Sequence, residues 1–232
     1  MYTALIQVRT SSSRFPSKVT KKILNHEVFL IVYKRVLRSK LISKAIIITS
    51  NNKSDDIIFK ICEKKNIPVY RGSLNDVLAR FYFASKKFKI KDIVRITSDC
   101  PLIDPMTIDK VCKIYSKNKY DYVSNTIKPT FPDGLDVEIF NFKTLEKTFK
   151  KFKSKYNREH VTAGMQKNKK IKKKNVKNKI NLSNFRFTLD TKKDYLIIKE
   201  IFNKYKSIYK PNFGILKNLI NKNKTKYKFI RK

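Results

Sequence analysis

The chain has 232 residues, 41% of them hydrophobic, which is enough to bury a sizeable core and short for two full domains. Fifty-five Lys and Arg against 18 Asp and Glu give a formal net charge of +37. No apolar run approaches the roughly 18 residues of a membrane span, and the apolar start at 4–6 is too short for a signal-peptide core, so the expectation is a cytoplasmic protein.

Short β-rich runs alternate with amphipathic helical patterns over the first two thirds, the sequence form of a mostly parallel sheet flanked by helices. Strands are expected at 3–8, 45–49, 69–71, 93–97 and 122–125, each near-continuously apolar as suits burial on both faces. Ser54 with Asp55 and Asp56 reads as a helix start, and Ile57, Ile58, Ile61 and Cys62 follow as one apolar face. Asn75 or Asp76 caps a helix that carries Val77, Phe81 and Ala84 inward. Asp104 before Pro105 is a cap and first-turn pair, and Ile108, Val111, Cys112 and Tyr115 recur at helical spacing. Pro132-Asp133-Gly134 signals a turn, after which a strand is expected at 135–140 and helices near 142–152 and 158–165. A Lys-rich segment near 166–180 reads as a loop or exposed edge; a strand at 185–189 and a helix at 193–205 close the pattern. The whole reads as one domain over 1–232 with a helical C-terminal end.

Cys62 and Cys112 read as core, and with Cys100 they make no CxxC pair. His26 and His160 lie far apart, so a disulfide framework and a zinc site are both disfavoured. The positive charge alone points to polyanions. Its carriers are mostly Lys, among many Asn and Ile and only 4 Gly, a blanket compositional bias rather than one selected surface. No aromatic residue interleaves with the charges of the Lys-rich run to stack a base, which argues against nucleic acid as partner.

The loop after the first strand sets Arg9, Arg14 and Lys18 among serines and a threonine without an acid. In an open α/β sheet ligands sit beyond the carboxyl ends of the strands, so this loop stands where a phosphate-bearing ligand is expected. It matches neither GxxxxGK[ST] nor GxGxxG. Asp99 follows the fourth strand and is placed to hold Mg²⁺, which favours hard oxygen ligands and substrate phosphates. Asp190, at the end of the late strand, is the choice for a second ligand, with Asp194 left to a structural role. His160 reads equally as a general base or as a satisfied helix residue.

The run from Gln7 to Lys18 resembles the opening of the cytidylyltransferases that include the CMP-KDO, CMP-sialic acid and spore-coat polysaccharide types, the last most of all. The resemblance continues in order through 70–73, 76–82, 95–104, 121–126, 132–138, 158–162 and 188–191. It implies a Rossmann-like nucleotidyltransferase fold, CTP as donor, Mg²⁺ as cofactor and a sugar-type acceptor in surface glycan biosynthesis. Carried onto matching positions, it implies CTP binding by Arg9, Ser12, Ser13, Arg14, Lys18, Asp76 and Arg80, with Arg9 and Lys18 catalytic. It implies a metal at Asp99 and Asp190, and acceptor binding by Asp133, Asp136, Glu138, Arg158 and His160. A homodimer is compatible with this reading. The chain departs from the pattern at Ser17 and Ser98, where glycine is usual, and at Asn25-His26-Glu27. A glycosyltransferase or an inactive nucleotide-sugar-binding homologue is the alternative that a shared fold leaves open.

Overall fold

The computed structural model describes residues 1–117 and 119–229. In chain order the elements begin β1 (Tyr2–Gln7), a small hairpin of β2 (Lys22–Ile23) and β3 (His26–Glu27), α1 (Val28–Val36), β4 (Ile42–Ser50) and α2 (Asp56–Lys64). They continue β5 (Val69–Gly72), α3 (Val77–Lys87), β6 (Asp92–Thr97), α4 (Pro105–Tyr115), β7 (Tyr122–Ser124), β8 (Glu138–Asn141) and α5 (Phe142–Lys151). The rest are α6 (Lys155–His160), α7 (Ala163–Lys167), β9 (Lys173–Asn175), α8 (Lys192–Tyr205), α9 (Phe213–Lys222) and α10 (Lys224–Tyr227).

Among the described residues the main sheet has 7 strands in the order β5-β4-β1-β6-β8-β7-β9. β1 runs parallel to β4 and β6, with Leu5 opposite Ile46 on one side and Arg95 on the other. β8 is antiparallel to both β6 and β7, and β9 is parallel to β7. The chain moves outward from β1 to β4 and β5, then returns to lay β6 on the opposite side of β1. That reversal opens a crevice between the carboxyl ends of β1 and β6, the place where such sheets take ligands.

Successive side chains of a strand point to opposite faces, and here both faces are covered. Ala4 and Ile6 of β1 pack with Phe29 and Val32 of α1, Ile58 and Cys62 of α2, and Ile108 and Val111 of α4. Leu5 joins Phe81 of α3, Leu145 of α5 and Met165 of α7 on the other side. This two-sided burial explains the near-continuous apolar strands. Cys62 and Cys112 are fully buried, as expected of core residues, and burial pushes each thiol up to about 12. A third cluster, with Phe187, Leu189, Phe202, Leu216 and Tyr227, packs α8, α9 and α10 against the 131–135 segment. Arg35 of α1 pins this end to the sheet. Its buried guanidinium donates to the carbonyls of Ile103, Ile208 and Pro211, and burial lowers it to about 10. No helix among the described residues is long and apolar enough to cross a membrane.

The structure corrects three readings. The helix expected at 158–165 breaks into α6 and α7 at Val161, whose φ of 50 is held by the bond from the Thr162 amide to the His160 carbonyl and by burial of its side chain. The strand expected at 185–189 forms no ladder, making only single bridges between Asp133 and Arg186 and between Phe185 and Lys228. Its neighbour is the Pro132-Asp133-Gly134 turn, which bends away after one pairing. The Lys-rich segment, read as a loop or exposed edge, carries the edge strand β9 over 173–175, held by its register with β7 and by buried Val176. Asn52, not Ser54, caps the turn before α2, and Asp55 faces inward.

Candidate active site

The loop leaving β1 is shaped by a buried carboxylate. Asp55 Oδ1 accepts from the Thr10 amide at 2.7 Å and the Thr10 hydroxyl at 2.8 Å, while Oδ2 accepts from the Ser50 amide at 3.2 Å and from its hydroxyl. The Ser17 amide then closes the loop on the Thr10 carbonyl at 3.0 Å. Ser17 itself sits in the left-handed region with φ 54, which accounts for glycine being the easier residue there. Ser98 shows no positive φ, and its amide simply extends the pairing of β6 to the Gln7 carbonyl at 3.1 Å.

Lys18 is the centre of the site. Its Nζ lies 3.0 Å from Asp99 Oδ2 and 2.8 Å from Asp190 Oδ1, so two carboxylates far apart in sequence face one point. A backbone bond from the Leu189 amide to the Asp99 carbonyl, 2.7 Å long, holds the two segments together. Burial disfavours the Lys18 ammonium, but the charge of Asp99 and the hydrogen bonds to Asp190 outweigh it and raise its pKa. Asp99 is likewise held below the ordinary carboxylate range. There too burial opposes the charge, and Lys18 and the Thr97 hydroxyl overcome it. Arg14 reaches Asp190 Oδ2 at 3.1 Å from an exposed position. Asp194 completes a capping box with Thr191 and also accepts from the Asp190 amide at 3.1 Å, the structural role expected of it.

Around this triad lies a cleft of about 260 Å³. One wall is the loop with Ser12, Ser13 and Arg14; another carries Val77, Arg80 and Arg95 from α3 and β6; Glu159 and His160 close the edge. Arg80 is buried, donates to the carbonyls of Ser73 and Leu74, and is lowered to about 10 by burial. Arg9 pairs with Glu159 at 3.4 Å across the opening.

Of the residues singled out from sequence, Arg9, Ser12, Ser13, Arg14, Lys18, Arg80, Asp99, Asp190 and His160 thus meet in one cleft. The others do not line it. Asp76 caps α3 through the Ala79 amide and pairs with Arg158 at 3.2 Å, and Arg158 stacks on Phe149. Glu138 is buried and accepts from Arg95, Tyr122 and Thr162. Asp133 and Asp136 lie on the segment leading into β8. Sequence reasoning gave no site role to Asp55, read as part of a helix start, to Glu159, read as a helix-surface residue, or to Gln7 and Arg95. A polar residue inside an otherwise apolar strand, as Gln7 and Arg95 are, was the available signal.

The family model described as cytidylyltransferase matches residues 3–226. The chain belongs to the cytidylyltransferase family. It is a CTP-dependent nucleotidyltransferase by that membership. It is 38% identical over 202 residues to an uncharacterized protein of Methanocaldococcus jannaschii, covering 85% of this chain and 81% of the other. Identity to the spore coat polysaccharide biosynthesis protein SpsF of Bacillus subtilis is 28%, over 86% of this chain and 85% of that protein. A solved cytidylyltransferase from Leptospira borgpetersenii superposes with a TM-score of 0.91 at 30% identity, covering 100% of this chain and 99% of that one. Its likeness extends the nucleotidyltransferase fold to the whole described cytidylyltransferase chain.

Proposed function

We propose that the enzyme transfers CMP from CTP to a sugar-acid or phosphorylated acceptor, releasing pyrophosphate, in surface glycan biosynthesis. The observation that carries this reading is the bridge of Lys18 Nζ to Asp99 and Asp190 beneath a loop bearing Arg9 and Arg14. Relatives named for spore coat polysaccharide biosynthesis and for 3-deoxy-manno-octulosonate cytidylyl transfer support the acceptor class.

The donor set fits Mg²⁺. Among the described residues no group of three His, Cys, Asp or Glu could enclose a metal, but two carboxylates that already face one cation suit an ion whose remaining ligands are phosphate oxygens and water. Asp99 and Asp190 would hold it, and when bound it neutralises phosphate charge and orients the α-phosphate. Arg9, Arg14 and Lys18 bind the triphosphate, with Ser12 and Ser13 as hydroxyl donors. An acceptor oxygen attacks the α-phosphorus; the new P–O bond forms as the bond to the bridging oxygen breaks, and that electron pair leaves on pyrophosphate. The residues contribute position and fixed charge, and no covalent intermediate is needed. His160 lines the cleft edge, and in this reading it takes the proton of a hydroxyl acceptor.

Pyrophosphate release from CTP, with sugar acids and sugar phosphates offered in turn, tests the proposal. Turnover with an acceptor and CTP, and less with ATP or GTP, is the expected outcome. Nucleotide binding without turnover on any acceptor would favour an inactive nucleotide-binding homologue instead.

A further inference from the structure

Two cations of the cleft, Arg80 and Arg95, stand outside the loop that follows β1, and Arg80 is committed to the carbonyls of Ser73 and Leu74. Arg95 lies on β6 opposite Leu5, and its side chain reaches Gln7, whose Oε1 accepts from Nε at 3.2 Å. Nη1 donates to Glu138, and the guanidinium carbon stands 6.0 Å from the Phe81 ring centre. Arg95 lines the same cleft as Lys18 and Asp99, with 15% of its side chain exposed.

Glu138 has little left to offer a substrate. One carboxylate oxygen accepts from Tyr122 and from the Thr162 hydroxyl at 2.8 Å, and the other from Arg95. Gln166 braces the Tyr122 hydroxyl at 3.0 Å. The carboxylate is therefore fixed from β7 and from the residue preceding α7, and it acts on the cleft only through Arg95. Two donors of the guanidinium are committed to Gln7 and Glu138 out of the roughly five such a group carries. A buried ion pair is weak support for stability, because desolvation offsets its attraction and apolar residues of like size do as well. An arginine held this way, with an edge open to a cleft, is suited to reading an anion bidentately. CTP carries its anionic groups in the triphosphate, for which Arg9, Arg14 and Lys18 stand on the other wall.

We propose that Arg95 contacts the acceptor and reads an anionic group on it, a carboxylate or a phosphate ester, and that Glu138 is the positioning residue that aims it. This rests on the cytidylyl-transfer reading above and names the residue that reads the acceptor's charge.

Calorimetric titration tests it without turnover. The protein is saturated with Mg²⁺ and α,β-methylene CTP, which cannot release pyrophosphate, and titrated with 3-deoxy-manno-octulosonate, glucose 1-phosphate or glucose. The wild type should bind at least one anionic probe and not glucose; which one binds separates carboxylate from phosphate recognition. Arg95→Lys keeps the charge but loses the fork and should weaken that binding about tenfold, as should Glu138→Gln. The double variant Arg95→Met with Glu138→Gln leaves no buried charge unpaired, so it keeps the fold, and should weaken binding by about 100-fold. Affinity for the CTP analogue should stay within about twofold throughout, a split that general loss of structure would not give. Undiminished probe binding by the variants, equal binding of glucose, or no anionic probe bound by an analogue-loaded wild type overturns the assignment. Parallel loss of analogue affinity moves Arg95 to the nucleotide and also overturns it. A wild type that binds no CTP analogue overturns the cytidylyl reading itself, and the assignment with it.

Discussion

Asp55→Asn should destabilise the protein and loosen the phosphate loop together. The carboxylate is fully buried and accepts from an amide and a hydroxyl on each oxygen, from Thr10 on one and Ser50 on the other. An Asn offers one oxygen and one NH₂. Whichever way it turns, the NH₂ confronts either Thr10 or Ser50; the hydroxyl there can reverse and accept, but the amide cannot. One buried N–H is orphaned, at about 1–3 kcal/mol, and the remaining bonds lose their charge assistance. A total near 3 kcal/mol follows, which for a chain of this size lowers Tm by about 6–12 °C. Because Thr10 is the anchor of the loop that carries Arg14 and Lys18, KM for CTP should rise as well.

The effect of pH gives a second check on Asp55. Burial works against its charge, but the bonds from Ser50 and Thr10 outweigh this and hold it below the ordinary carboxylate range. A group depressed on folding contributes stability above its unfolded pKa and loses that contribution as pH falls through the folded value. The gap in Tm between wild type and Asp55→Asn should therefore be widest near neutral pH and narrow in acid. Thermal unfolding followed by circular dichroism measures both. A variant that melts within about 2 °C of the wild type at pH 7 and binds CTP equally well would refute the role given to Asp55.

Lys18→Met should cut turnover by about 10²-fold or more, as loss of a fixed charge-stabilising group does, and pyrophosphate assays at saturating CTP measure it. It also leaves Asp99 and Asp190 facing each other, so Mg²⁺ should stabilise this variant against heat more than it stabilises the wild type. Asp99→Asn and Asp190→Asn should each cost on the order of 10²-fold, and the double variant little more, because shared ligands act as one unit. Multiplicative losses with unchanged Mg²⁺ dependence would separate the two carboxylates. Gly134→Ala should destabilise by about 2 kcal/mol or more, since φ is 101 and an added Cβ would stand 2.7 Å from the Phe187 backbone; a Tm unchanged within error counts against that packing.

The sheet was legible because burial on both faces writes near-continuous apolar runs at β1, β4 and β6. The segment 185–189 was misread because Phe185, Phe187 and Leu189 alternate with polar residues as in a half-buried strand, while the segment packs against the C-terminal helices and forms no ladder. Nothing at Val161 announced the helix break, as neither Gly nor Pro marks it; burial of the side chain and the bond from the Thr162 amide to the His160 carbonyl hold its backbone. The cations of the loop and the acids at strand ends were readable from their places in the topology. Asp55, Glu138 and the Asp76–Arg158 pair were not. Each is defined by a partner more than a few dozen residues away, so a motif that contains it looks equally like substrate binding and like scaffold.

In a chain with 55 basic residues and 18 acids, the acids carry more information than the bases. A lysine can sit on such a surface without consequence, whereas a buried carboxylate must find donors. Asp55 shapes the phosphate loop, Asp104 caps α4, Glu138 holds Arg95, and Asp194 fixes the turn that presents Asp190. Several of the scarce acids thus place cations and backbone around the crevice between β1 and β6. The surrounding positive field still has an effect, because it draws a triphosphate toward the protein from every side and is screened by salt. It cannot choose among anions. Selection falls to the few cations whose positions carboxylates fix, Lys18 between Asp99 and Asp190 and Arg95 against Glu138.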